Sequence, residues 1–285
     1  MSLVAVAAAK AAPGVTTSAL AMAAVWPTDR QVLLVEADPG GGDLAARFEL
    51  AAQPGLVSLA AAARRQIDGA LVGEHAQRLP GGLGVLVGPP GAEQAAAALG
   101  MLAPPVLAGL DRLDGVDVIA DLGRLDPAST ALGLARVASL LLVVVRPRLD
   151  ELQHLAHRVA ALRGECRALG VVLVGSGPYP AEEIAGALGV EVLAWLPADP
   201  RGASLLGGAG ASAGALRRTP LLRAARGMAE AAVGRLASPA SAAAAAAPAS
   251  TEPSPAAVAA PRAFPTPPPA PPPDPEAETT RELRR

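Results

Sequence analysis

Residues 3–20 read LVAVAAAKAAPGVTTSAL, and the change of pattern within this stretch decides the fold. The first six residues form a continuous apolar run, which is typical of a strand buried on both faces of a parallel sheet. From Thr16 onward the Ala- and Leu-rich spacing predicts a helix over Thr16–Val25. The stretch therefore predicts a strand, a loop and a helix in direct succession.

The same succession recurs along the chain. The predicted strands are Leu3–Ala8, Val32–Glu36, Leu83–Val87, Val116–Asp121, Leu140–Val145, Val171–Gly175 and Val190–Leu196. The predicted helices are Thr16–Val25, Gly91–Leu102, Pro127–Val137, Asp150–Leu169, Pro180–Leu188 and Thr219–Leu236. This alternation predicts an α/β fold, a three-layer sandwich around a doubly wound, mostly parallel sheet. Ligands of such sheets bind beyond the carboxyl ends of the strands, so the loops there are the expected site.

Composition excludes several classes of function. Only 2% of the 285 residues are aromatic, which argues against base stacking, and the net charge of −2 provides no global attraction for nucleic acid. The single cysteine excludes an internal disulfide and fits a reducing compartment. The longest largely apolar run, Val137 to Val145, is too short to span a bilayer. We therefore expect a cytoplasmic protein.

The composition changes near Leu236. Residues 237–285 are rich in Ala and Pro and contain few side chains that could anchor a core, so we expect a disordered tail with polyproline II character. The chain is thus predicted to comprise a folded domain over 1–236 and a tail over 237–285. The tail is interpreted as a solvated spacer or as a ligand for a proline-recognising partner.

The loop after the first predicted strand has the arrangement of a phosphate-binding loop. In such loops backbone N–H groups and a helix N-terminus hold phosphates, and a hydroxyl holds Mg²⁺. The standard pattern is G-x-x-x-x-G-K-[ST]. Here Ala9 stands for the first glycine, Gly14 and Thr16 are retained, and Val15 replaces the lysine.

Acidic residues follow other predicted strands. Glu36 and Asp38 precede a glycine turn, and Asp121 ends a buried strand, where a metal-bound phosphate needs a carboxylate. Asp199 lies in a Pro-Ala-Asp-Pro loop after the last strand. A structural alternative is that such residues cap turns and helices, as we expect of Asp43 for a short helix over Leu44–Leu50.

In order and spacing these four stretches, within residues 1–236, resemble the ParA/MinD family of P-loop ATPases, of the SIMIBI class. The family's deviant Walker A motif reads K-G-G-x-G-K-[ST]-[ST] and is followed by D-x-D-P, a strand-terminal Asp and a late P-x-D loop. The resemblance implies ATP and Mg²⁺ as ligands and a homodimer as the assembly. It implies Lys10 and Asp38 as catalytic residues, Thr16 and Asp121 as Mg²⁺ ligands, and nucleotide contacts from Lys10, Pro13, Gly14, Val15, Thr16, Thr17 and Asp199.

Individual roles follow from the same resemblance. Lys10 matches the signature lysine that reaches the partner's phosphates across the dimer, with a solvated loop lysine as the alternative. Asp38 matches the carboxylate that positions the attacking water, and Thr17 matches a neighbouring phosphate contact. Asp199 matches the loop that borders the adenine pocket. Glu36 stands where the first Asp of D-x-D is usual.

The departures from the family pattern weaken the chemistry more than the fold. Val15 removes the lysine that neutralises the β- and γ-phosphates, which predicts a fall in turnover of about 10³-fold or more. Ala11 and Ala12 replace glycines, and an alanine held at positive φ costs about 1 kcal/mol or more relative to glycine. A degenerate, weak or inactive ATPase is the expectation.

Three hypotheses for the function remain open. The favoured one is a degenerate member, possibly of the TadZ/CpaE kind, that acts as a localisation scaffold for cell-envelope or pilus machinery. The second is an active ATPase in chromosome partitioning or division-site placement. The third is an adaptor that binds no nucleotide. A protein partner from a positioning or secretion system is expected, and nonspecific DNA contacts through exposed arginines are possible in this family. Binding to a membrane surface is not expected, because alanines in the last helix are weak bilayer anchors.

Overall fold

In the computed structural model, the first strand lies in the interior of an eight-stranded sheet. The structure describes residues 2–11, 14–27, 31–63, 65–208 and 213–238. The strands are Leu3–Ala8 (β1), Gln31–Glu36 (β2), Gln77–Arg78 (β3), Gly84–Leu86 (β4), Val116–Arg124 (β5), Leu140–Val145 (β6), Leu169–Val174 (β7) and Val192–Leu196 (β8). Their order is β3-β4-β2-β5-β1-β6-β7-β8, with β3 antiparallel to β4 and every other pair parallel.

Helices cover both faces of the sheet and make the three layers. They are Val15–Ala24 (α1), Leu44–Arg47 (α2), Leu56–Ala62 (α3), Gly69–His75 (α4), Ala92–Met101 (α5), Pro104–Leu107 (α6), Leu132–Val137 (α7), Leu149–Gly164 (α8), Ala181–Leu188 (α9), Pro200–Leu206 (α10), Ala213–Arg217 (α11) and Pro220–Ala237 (α12), with a 3₁₀ turn at Leu110–Arg112. The predicted α/β sandwich is confirmed.

Each face of the sheet buries its own hydrophobic core, and alternate residues of β1 contribute to the two. Leu3, Ala5 and Ala7 belong to the core beneath α3, α5 and α8. Val4, Val6 and Ala8 belong to the core shared with α1 and α12. This alternation is the period-2 geometry of a strand buried on both sides. The face that carries α1 is called the α1 face below.

Several elements differ from the sequence prediction. The two-residue strand β3 was not predicted, because Gln77 and Arg78 carry no apolar signal. Helix α7 begins at Leu132 instead of Pro127, since Asp126 forms a turn in which its Oδ1 accepts the N–H of Ala128 at 2.9 Å. The predicted tail lies outside the described residues except for Ala237 and Ser238.

Among the described residues, none of the helices combines the length and apolar character that crossing a membrane requires.

Candidate functional site

The loop between β1 and α1 lies at the carboxyl edge of the sheet. Lys10 and Ala11 are exposed there, while Ala12 and Pro13 lie outside the described residues. Ala11 has a φ of 56°, in the left-handed region that favours glycine. Gly14 has a φ of 83° and precedes the first residue of α1. Its carbonyl accepts both the N–H and the hydroxyl of Ser18 at 2.8 Å, which ties the end of the loop to the first turn of the helix.

Val15 points away from this loop. Its side chain is 2% exposed and belongs to the core on the α1 face. The next two residues, Thr16 and Thr17, are half-buried. The position where the family's second Walker lysine stands is therefore filled by an apolar side chain that packs on the sheet, and it brings no charge to the loop.

Asp121 lies in β5, the strand next to β1, and is 1% exposed. Its Oδ1 accepts the N–H of Gly123 at 3.0 Å, whereas its buried Oδ2 has no hydrogen bond of ordinary geometry among the described residues. Burial raises the pKa of this carboxyl to about 6, against the opposing interaction with the Thr16 hydroxyl. The structure thus brings Thr16 and Asp121 together, as the Mg²⁺ prediction requires.

Asp38, just after β2, reaches the same place from the other side of β5. Its Oδ1 accepts the N–H of Gly40 at 2.7 Å, and the carboxyl group packs on the backbone of Gly123. A Cβ at Gly123 would lie 2.0 Å from the Asp38 carboxyl carbon, so only glycine is compatible with this approach. The negative charge of Asp38 also raises the pKa of Asp121.

Glu36 is a buried carboxylate that sequence reasoning left without a role. Its Oε1 accepts the N–H groups of Asp43 at 2.6 Å and Leu44 at 2.9 Å, and its Oε2 accepts that of Gly88 at 2.9 Å. Burial raises its pKa, and these backbone bonds oppose the rise. Glu36 therefore holds the segment after Asp38 against the loop after β4. The only sequence signal was an acidic residue at the end of a buried strand.

The expected capping role of Asp43 is wrong in its chemistry, although Asp43 is the residue before α2. Its side chain makes no capping hydrogen bond. It pairs instead with Arg47 at 2.8 Å, and the capping acceptor for the helix start is Glu36. Glu36 accepts from the N–H groups of the N-cap residue and of the first helical residue, which a side-chain cap at Asp43 would not reach.

Asp199 lies apart from the other predicted site residues. It follows β8, which β6 and β7 separate from β1. Its Oδ1 accepts the N–H of Gly202 at 2.8 Å in α10, and its Oδ2 accepts that of Leu221 at 3.1 Å in α12. Both carboxylate oxygens thus join the starts of two helices. Its predicted contact with a nucleotide stays a prediction.

The group of side chains at the carboxyl edge fits a magnesium-bound phosphate. Carboxylate and hydroxyl oxygens are the ligands that Mg²⁺ prefers, and the buried Asp121 Oδ2 is an acceptor that the fold leaves unused. The loop ends at a helix N-terminus, where phosphates are favourably placed. Besides the exposed Lys10, what the group lacks is a cation at position 15, where the helix begins. Mg²⁺ held by Thr16 and Asp121 would supply part of that positive charge, as a Lewis acid on the phosphate.

Comparisons with solved structures place this fold. No family model and no curated protein matches the chain. The Pyrococcus horikoshii septum site-determining protein MinD with Mg-ADP superposes with a TM-score of 0.66 at 20% identity, over 83% of this chain and 97% of that chain. A Chlorobium tepidum ParA family ATPase gives 0.65 at 17%, over 80% and 97%. A Cyanothece McdA variant with ATP gives 0.62 at 17%, over 82% and 96%. The chain has the fold of the ParA/MinD family ATPases.

Proposed function

We propose that this chain is a ParA/MinD-type nucleotide-binding protein that binds Mg-ATP weakly, hydrolyses it slowly or not at all, and serves as a positioning scaffold. The observation that carries the proposal is the meeting of Thr16, Asp121 and Asp38 at the end of β1, beside a helix N-terminus. The bound Mg-ADP and ATP in the structural neighbours support this choice of ligand.

The roles of the residues follow from their positions. Thr16 and the free Oδ2 of Asp121 would hold Mg²⁺, while the segment from Lys10 to Thr17, Pro13 included, would surround the phosphates. Asp38 would orient the attacking water in any residual hydrolysis. Because Val15 is turned into the core, no lysine of the same chain neutralises the γ-phosphate, and slow or absent turnover follows.

Partners belong to the same proposal. Lys10 would contact the phosphates of a second copy in a nucleotide-dependent homodimer, and its exposure supports this role. A solved neighbour is a complex of MinD with MinC, which supports a protein partner for this chain. We propose a partner from a positioning or secretion machinery, with nonspecific DNA as the alternative surface.

Equilibrium titration with a fluorescent ATP analogue tests nucleotide binding by the full chain. We expect weak, saturable, Mg²⁺-dependent binding that Thr16→Ala removes and Thr16→Ser retains, because the hydroxyl is the ligand. Val15→Lys should tighten binding by about tenfold or more. A lysine does not keep its charge in the core position of Val15, and its long stem lets the ammonium turn out toward the phosphates. Val15→Met is the matched control, with a long side chain and no charge.

Two results would replace the proposal. Robust ATP turnover by the unmodified chain, abolished by Asp38→Ala, would make it an active ATPase of the partitioning or division-site kind. No detectable nucleotide binding, even by a folded Val15→Lys variant, would make it an adaptor that keeps only the fold.

A further inference from the structure

A β-bulge at the end of β5 puts an arginine on the α1 face of the sheet, level with the start of the candidate phosphate loop. Val6 of β1 pairs with Asp121, but Ala8 pairs with Arg124, so three steps along β5 oppose two along β1. The extra residue lies at Leu122–Gly123, and Gly123 has a φ of 57°. Bulges next to functional sites commonly redirect a side chain in this way.

The bulge decides which face of the sheet Arg124 occupies. Paired residues of neighbouring strands share a face, and Val6 and Ala8 both belong to the core on the α1 face. Asp121 and Arg124 therefore lie on that same face. Without the extra residue, a side chain three positions after Asp121 would point to the opposite face.

Along β5, Arg124 lies level with the start of the loop between β1 and α1. The N–H of Leu125 donates to the carbonyl of Ala8, the last residue of β1, at 2.8 Å, and the loop begins at the next residue of the chain. The Arg124 side chain is 61% exposed, and its ion pair with Asp126 is long, at 3.7 Å, with both groups in solvent. A pair of this kind is worth little, so the guanidinium is available to a stronger anion.

The charges around the loop call for a cation at this place. Glu36, Asp38 and Asp121 lie at the same edge: Glu36 pairs with Asp121 across β2 and β5, and the Asp38 carboxyl packs on Gly123. A triphosphate adds more negative charge, and Val15 contributes no positive charge to balance it. Arg124 is the cation that the neighbouring strand carries to this edge on the α1 face, and its planar guanidinium suits phosphate oxygens.

We propose that Arg124 is a phosphate-binding residue of this site and supplies, from the end of β5, positive charge that the replacement of lysine by Val15 removed from the loop. The inference rests on the proposed nucleotide binding and adds to it one residue, Arg124, and the part of the ligand that it contacts, the phosphates. The ligand class is a nucleoside di- or triphosphate bound through its phosphates.

Titrations of the full chain with adenosine, AMP, ADP and ATP, each with Mg²⁺, test the assignment. Arg124→Gln should weaken ADP and ATP binding by about tenfold and leave adenosine binding unchanged, because a charge-assisted hydrogen bond to phosphate is lost. Arg124→Lys should weaken ADP and ATP binding less, since the positive charge remains. Arg112→Gln is the matched control: Arg112 is also exposed, but it precedes β5 and lies at the opposite edge of the sheet.

The outcomes separate this inference from the proposed function. If the unmodified chain binds ATP and Thr16→Ala abolishes binding, but Arg124→Gln matches Arg112→Gln, the assignment of Arg124 is wrong and the nucleotide site stands. Equal losses for adenosine and ATP would also reject a phosphate contact. If the unmodified chain binds none of the four ligands, both proposals fall. Because Arg124 is exposed, the circular dichroism and thermal unfolding of both Arg124 variants should match those of the unmodified protein.

Discussion

At the residue scale, the site is defined by what each side chain can reach, and Val15 and Asp121 are the clearest cases. Val15 is buried in the core, which stabilises the fold but leaves position 15 without a positive charge. Asp121 is equally buried but keeps one unused oxygen, so its ionised form is unfavourable until a cation arrives. The fold thus places a buried acid with an unused oxygen beside a loop that has valine, not lysine, at position 15.

The stability of the metal-free protein should depend on Asp121 between about pH 4 and 6. Its pKa in the folded chain, about 6, lies above the ordinary value of 3.8, so folding favours the protonated acid. Its contribution to stability is full below pH 3.8 and is lost as the pH rises through 6. Asp121→Asn mimics the protonated form and should be more stable than the unmodified protein at pH 7.5, by about 2–3 kcal/mol.

Urea unfolding in the presence of a metal chelator measures this difference in unfolding free energy. At pH 4 the two proteins should differ little, because both then carry a neutral group at position 121. A difference that stays constant from pH 4 to pH 7.5 would contradict the raised pKa of Asp121. The Asn variant should also lose Mg²⁺-dependent nucleotide binding.

Ala11 should gain from replacement by glycine. Its φ of 56° costs an alanine about 1 kcal/mol or more, and the greater freedom of glycine in the unfolded chain offsets part of the gain. We expect Ala11→Gly to be neutral or to stabilise the protein by up to about 1 kcal/mol. Ala97→Gly, at an exposed position inside α5, is the control and should destabilise by about 1 kcal/mol. Similar losses for both variants in thermal unfolding would contradict strain at Ala11.

At the scale of elements, carboxylates hold loops and helix starts in place. Glu36 joins the end of β2 to the start of α2 and to the loop after β4. Asp199 does the same for α10 and α12. Each is an acid at or just after the end of a predicted strand, the sequence signal that also marked Asp38 and Asp121. The signal located the carboxyl edge of the sheet. It did not distinguish acids with an oxygen available to a ligand from acids whose oxygens already accept hydrogen bonds from backbone N–H groups.

Glu36→Ala should loosen the segment that carries Asp38. Three backbone N–H groups lose their acceptor, at about 1 kcal/mol each or more, so a loss of about 3 kcal/mol in unfolding free energy is expected. Hydrogen exchange should accelerate at the amides of Asp43, Leu44 and Gly88. Glu93→Ala, an exposed acid in the first turn of α5, is the control. Unchanged exchange at those three amides would show that Glu36 does not hold the segment.

At the scale of the whole molecule, the sheet order brings three strand ends to one place. β5 lies between β2 and β1, so Asp38, Asp121 and the loop from Lys10 onward converge although they are far apart in sequence. Lys10, in that loop, is exposed. Under the proposed function, a second molecule would meet the nucleotide at this exposed residue.

Lys10 should control assembly. With saturating Mg-ATP analogue, light scattering after size exclusion should give a dimer for the unmodified chain and a monomer for Lys10→Ala, because the cross-contact to the partner's phosphates is lost. Lys10→Arg keeps the charge on a different geometry and should dimerise poorly. If the unmodified chain and both Lys10 variants form equal amounts of dimer, or if dimers form without nucleotide, the dimer interface does not depend on the contact of Lys10 with the partner's phosphates.

The sequence by itself determined the alternation of buried strands and helices, the parallel sheet and the loops where a site must lie. Continuous apolar runs require burial on both faces, and parallel strands put their carboxyl ends at one edge, so Thr16, Asp38 and Asp121 could be predicted as neighbours. Tertiary structure alone decided the direction of side chains within that edge. The burial of Val15, the three N–H groups on Glu36, the two helices held by Asp199 and the face of Arg124 depend on contacts between distant segments. A one-residue bulge reverses a face, and no local pattern in the sequence records it.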